Sequence, residues 1–163
     1  VLGETWVDHH GKHGEEGTRG LVDGIRQRED HPVLGGVSDI WCATDVYGTR
    51  ELPEEAEVLL WGQSTQGMNP SAPVNWEKSI MPVAWTKPYQ LENGKEGMAF
   101  ATTMGASVDL TSEDLRRMLV NASYWLLSIP VPSSVDVGLP AGYSPTMFGF
   151  GEYQPGLKVS DLK

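Results

Sequence analysis

The sequence predicts a single domain of the α/β class, and three observations carry that expectation. Residues 112–128 place Leu115, Met118, Leu119, Ala122, Trp125, Leu126 and Ile129 at the i, i+3, i+4, i+7 spacing of one apolar helix stripe. EVLLWGQ (57–63) is a compact apolar run that fits a strand buried on both faces. PVAWTKPYQL (82–91) and GMAFATTMG (97–105) are β-prone runs flanking Glu92-Asn93-Gly94-Lys95, and Asn-Gly between such runs is a hairpin signal. The two runs equally suit neighbouring strands of a larger sheet. A chain of 163 residues suits one domain, 1–163, able to bury about 70% of its unfolded surface.

Taken in order, residues 1–8 read as a short strand or a helix end. The opening VLGETWVDHH begins on Val1 and resembles the interior of a longer chain. Residues 9–20 carry glycine at 11, 14, 17 and 20, a period that suits neither helix nor ordinary strand. The weak alternation of GLVDGIRQRE (20–29) suggests an extended piece. At His31-Pro32 the proline drives its predecessor out of the α region and opens a turn. DIWCATDVYG (39–48) is β-prone, LPEEA (52–56) suits a first helical turn or an acidic turn, and 64–79 is a polar loop. Thr111 and Asp114 have capping-box spacing at the start of the helix, Glu113 and Asp114 favour its positive end, and Pro130 stops it. Residues 131–163 lack periodicity and read as an irregular wrapping tail.

Charge narrows the partners. The net charge is −10 with twelve scattered basic residues, which argues against nucleic acid and anionic membrane surfaces. No run approaches the roughly 20 apolar residues of a membrane span. The lone cysteine, Cys42, excludes an internal disulfide and a CxxC zinc site. It reads as a small buried hydrophobe, and no phosphate-loop or dinucleotide fingerprint is present.

The densest chemistry lies in HHGKHGEEGTRG (9–20), which holds three of the four histidines beside Glu15, Glu16 and Arg19. Histidine moves its proton near neutral pH, so His10 and His13 are candidate acid/base residues. His9, Glu15 and Arg19 are candidate ligand contacts, although Arg19 can equally pair with Glu15 or Glu16. Asp45 and Tyr47, two apart on an extended segment, project to one side and suit hydrogen bonds to sugar hydroxyls. Gln63 ends the buried run, where α/β sheets place ligands. Of six tryptophans, Trp41 and Trp85 adjoin polar or turn residues and are candidates to stack on a sugar, while Trp61 and Trp125 read as core. A surface loop with no chemistry is the competing reading of residues 9–20. No cofactor and no resident metal is assigned, and a weaker reading makes His9, His13 and Glu15 the ligands of a metal-dependent hydrolase.

HHGKHGEEGTRG, DHPVLGGVSDIWCATDVYG, EVLLWGQSTQGM, MPVAWTKPY, GMAFATTMGAS and DLRRMLVNASYWLL, in that order, resemble ThuA-like proteins. These proteins are named for trehalose utilisation and belong to the class I glutamine amidotransferase-like superfamily. The resemblance runs to a bacterial branch with an extended His/Gly loop and covers nearly the whole chain. It is most specific at 9–20, 31–48 and 82–127. It implies a three-layer α/β/α sandwich with a flavodoxin-like, mostly parallel sheet, lacking here its N-terminal strand–helix units.

It also implies a link to carbohydrate metabolism without the amidotransferase cysteine. His31-Pro32 matches the family's His-Pro step, and Asp45 with Tyr47 matches its acidic/aromatic segment loosely. Met104-Gly105-Ala106 stands where many members show Gly-His, so the loop histidines are candidates to replace a histidine that Ala106 lacks. The resulting expectation is a domain acting on or binding a sugar or oxidised sugar derivative. Catalytic roles fall to His10, His13 and Asp45, and substrate contacts to His9, Glu15, Arg19, Tyr47, Gln63 and Trp85. The alternative is a non-catalytic sugar-binding or interaction module of a larger polypeptide, as a homo-oligomer or with attached domains.

Overall fold

The computed structural model describes residues 2–21, 30–146 and 155–161. Two sheets form. β1 (Asp8–His9) pairs with β4 (Tyr47–Gly48) as a short ribbon. The main sheet has the order β3-β2-β5-β6-β7, built from β2 (Thr18–Leu21), β3 (Ile40–Cys42), β5 (Glu57–Ser64), β6 (Met81–Gln90) and β7 (Glu96–Thr102). Every pairing in both sheets is antiparallel.

This arrangement corrects the expected three-layer, flavodoxin-like parallel sheet. Parallel neighbours need a crossover connection, usually a helix. Among the described residues the one α-helix, α1 (Glu113–Leu126), comes after β7, so no described α-helix connects paired strands. β5 and β6 are joined by the loop 65–80, and β6 and β7 by a tight turn. β5 is apolar because it lies centrally between β2 and β6, not because its neighbours run parallel to it. Burial of a run reports its position in a sheet and leaves strand direction open.

The local signals hold better. Asn93-Gly94 turns the β6–β7 hairpin: Gly94 takes φ 81°, its amide donates to Leu91 O, and Asn93 Oδ1 accepts from the Lys95 amide. The β5–β6 ladder shifts register on either side of Leu60, as bulges do, and Leu59 and Leu60 are both fully buried there. α1 buries Leu115, Met118 and Ala122, while Leu126 and Ile129 at the end of the stripe are exposed. Ser112 is the helix N-cap residue without a side-chain cap bond. Asp114 instead reaches across to accept from the Ser38 and Asp39 amides and from Ser38 Oγ.

The core joins α1 to the sheet through Val33, Leu34, Ile40, Val46, Leu59, Leu60, Val83 and Met104. His31 begins the 3-10 turn Pro32–Leu34, which packs under α1, and its ring meets Trp125. Part of the tail is tied to this layer, with Arg116 Nε donating to Val137 O and Tyr143 Oη to Ser107 O. The expected extended piece at 20–29 falls, from residue 22 on, outside the described residues. No helix among the described residues is long and apolar enough to cross a membrane.

Candidate functional site

The ribbon β1–β4 brings the histidine loop to Asp45. His9 is the ladder partner of Tyr47, and the amides of His10 and Gly11 both donate to Val46 O, at 2.9 and 3.0 Å. Backbone bonds thus clamp residues 9–11 against 46–47. Gly11 permits the approach: a Cβ there would stand 2.8 Å from Asp45 Cβ and 3.2 Å from Ser64 Oγ. Gly14 takes φ 76° as the chain turns back towards β2, a conformation L side chains rarely adopt.

At the centre lies the Asp45 carboxylate, whose side chain is only 1% exposed. Each oxygen holds one imidazole: His9 Nδ1 is 2.7 Å from Oδ2, and His13 Nδ1 is 2.9 Å from Oδ1. A buried carboxylate is costly unless hydrogen-bonded, and each imidazole supplies one such bond. The rings of His9 and His13 lie 5.5 Å apart, and that of His9 meets Tyr47 and Trp6 edge-on. Burial, with Asp45 and Asp109 nearby, raises the Tyr47 pKa, so its phenol stays protonated at neutral pH.

Behind this cluster stands a polar brace. Asp109, fully buried, accepts from the Thr44 amide and hydroxyl and from the amides of Gly105 and Ala106. It therefore ties the segment containing Ala106 to the residue preceding Asp45. Lys78 Nζ donates to Glu16 Oε2 at 2.7 Å and to His10 O at 3.2 Å. Burial pushes the Glu16 pKa up, but the bonds from Lys78 and from the Lys12 amide outweigh it and hold the group below its ordinary value. Ser64 Oγ is buried near Gly11 and makes no hydrogen bond of normal geometry among the described residues.

A cavity of about 220 Å³ opens against Trp6 and Tyr47, whose rings meet that of His9. Trp6, Tyr47 and Trp85 supply its aromatic surface, and Glu4, Thr49 and Thr102 add polar edges. Trp85 is buried in β6, where its indole N–H donates to Leu2 O at 2.8 Å and fixes the N-terminal segment over the sheet. Trp6 is 58% exposed on the cavity wall.

Of the residues expected at a site, the structure brings together His9, His13, Asp45 and Tyr47, with Trp85 in the adjoining cavity. His10 points elsewhere, with Nε2 donating to Ser79 O. Glu15 is exposed and pairs with Lys12. Arg19 lies on β2, where its guanidinium bonds Asp39 and Pro70 O rather than Glu15 or Glu16. Gln63 is buried within β5 and bonds Lys78 O and the Ser64 amide. Trp41 is half-buried on β3, its indole nitrogen close to Gly17. Burial, with Asp109 nearby, pushes the Cys42 thiol well above its ordinary value despite Arg19, which suits an inert core residue.

Three contributors escape a sequence reading: Trp6, Lys78 and Asp109. Trp6 is three residues before His9, a proximity that could have flagged it, whereas Lys78 and Asp109 carry no local signal. No protein-family model, curated protein or solved structure matches this chain.

Proposed function

We propose that this domain binds, and in its catalytic form acts on, a sugar or an oxidised sugar derivative held between the aromatic cavity and the His9–Asp45–His13 cluster. One observation carries the reading: the cluster adjoins the cavity through His9, which meets two residues of the cavity wall. His9 Nδ1 is fixed by Asp45, while its ring touches Trp6 and Tyr47 on the cavity wall. A sugar ring has apolar faces suited to an indole and a rim of hydroxyls suited to paired donors and acceptors. At about 220 Å³ the cavity lies below the roughly 300 Å³ of drug-sized pockets and suits a single sugar unit.

The chain's own groups divide the work. Trp6 covers a ring face, and the protonated Tyr47 phenol donates to a hydroxyl or carboxylate. Asp45 holds both imidazoles by Nδ1 and orients them to exchange a proton with a ligand hydroxyl. The motif resemblance to ThuA-like proteins supports the choice of carbohydrate. It does not extend to their parallel sheet, and the buried Cys42 offers no amidotransferase nucleophile.

The test is titration with neutral sugars, aldonic acids and keto-sugars, followed by tryptophan fluorescence and by histidine NMR signals. A ligand that shifts both sets of signals is expected, and Trp6→Ala should weaken it roughly tenfold, about 1.4 kcal/mol. Millimolar carbohydrate that moves neither set would overturn the reading.

A further inference from the structure

We propose that His9, His13 and Asp45 form a binding site for a divalent first-row transition-metal ion. The inference uses side chains of the proposed sugar site but does not depend on carbohydrate being the ligand. His9, His13 and Asp45 each offer one ligand atom, a ring nitrogen or a carboxylate oxygen, and no two of these atoms are more than 4.8 Å apart. In a tetrahedral site with metal–ligand bonds of about 2.0–2.1 Å, neighbouring ligand atoms stand roughly 3.3 Å apart. His9 Nδ1 stands 2.7 Å from one Asp45 oxygen and His13 Nδ1 2.9 Å from the other, so an ion held by both imidazoles and the carboxylate requires these hydrogen bonds to open.

Donor chemistry selects the ion. Two imidazoles and one carboxylate suit zinc, iron(II), cobalt(II) or manganese(II), and leave positions open for an outside ligand. Magnesium and calcium prefer all-oxygen shells and fit poorly. The ligand set differs from the sequence expectation in one member. Buried Asp45 takes the place of Glu15, whose carboxylate is exposed and paired with Lys12.

The site is also built before any ion arrives. Asp45 is almost completely buried, so its orientation is set by packing. The ladder pair His9–Tyr47 and the two amide bonds to Val46 O fix the loop bearing the imidazoles. Asp109 braces Thr44 from behind. His9 keeps 39% of its side chain exposed, which gives the ion a route from solvent.

Calorimetric titration of chelator-stripped protein with zinc should show one equivalent bound, and cobalt(II) should develop visible absorption from an imidazole-ligated ion. His13→Ala and Asp45→Asn should each weaken zinc by at least about tenfold, while Glu15→Gln leaves it unchanged. If Asp45→Asn does not fold, His9→Ala, at a more exposed position, gives the same readout. Absence of zinc binding by the unmodified chain overturns the proposal. So does undiminished binding by the His9→Ala/His13→Ala double variant, or magnesium competing as well as zinc. Zinc binding without carbohydrate binding retains this site and removes the preceding reading, and carbohydrate binding without zinc does the reverse.

Discussion

At the scale of single residues, the glycines of the histidine loop serve different purposes, and substitution separates them. Gly11→Ala would drive a methyl group against Asp45, Ser64 and the Val46 amide, at a cost of about 1–3 kcal/mol. Gly14→Ala meets nothing within 4 Å and bears only the strain of φ 76°, about 1 kcal/mol. Thermal melts should therefore show the larger loss for Gly11→Ala. Histidine NMR signals should be displaced in that variant and keep their positions in Gly14→Ala. Equal effects in the two variants would contradict the close approach at Gly11. The letters of this loop exposed its character in advance, because glycine and histidine at such density disfavour regular structure. The partner was harder to read. Asp45 lies 32 residues beyond His13, and only the pairing of β1 with β4 brings them together. Arg19 and Gln63 show the opposite problem, since residues able to bind a ligand were consumed by Asp39, Pro70 and the Lys78 carbonyl.

At the scale of elements, α1 was legible because its apolar stripe depends only on local spacing. Its first turn was not, because Asp114 serves a distant loop through three hydrogen bonds. Burial raises the Asp114 pKa, but those bonds and Arg117 lower it further, leaving it below its ordinary 3.8. The folded state consequently binds this proton less readily than the unfolded chain. Its stabilisation is fully present above the ordinary value and disappears as pH falls through the depressed folded value. Asp114→Asn should lower the melting temperature at neutral pH and make the acid limb of a melting-temperature profile shallower. A parallel downward shift at every pH down to about 3 would contradict the assignment. Strand direction belongs to this scale too. The composition of β5 fits a buried strand of either sense, and the helix-free connection 65–80 returns β6 antiparallel to it.

Across the whole molecule, protection should be graded. β5 and β6 sit inside the sheet with partners on both sides, whereas the β1–β4 ribbon is two residues wide on each strand. Amide exchange should be slowest at Leu59, Leu60, Val83 and Ala84 and much faster at His10 and Gly11, because subglobal opening frees the ribbon first. Uniform protection across the two sheets would contradict that order. The ribbon has one further consequence. His13 and Asp45 fasten together the two ends of a long chain segment, and closing such a loop restricts the unfolded ensemble. A ligand gripping both ends would act as a removable cross-link, in a protein whose single buried cysteine can form no internal disulfide.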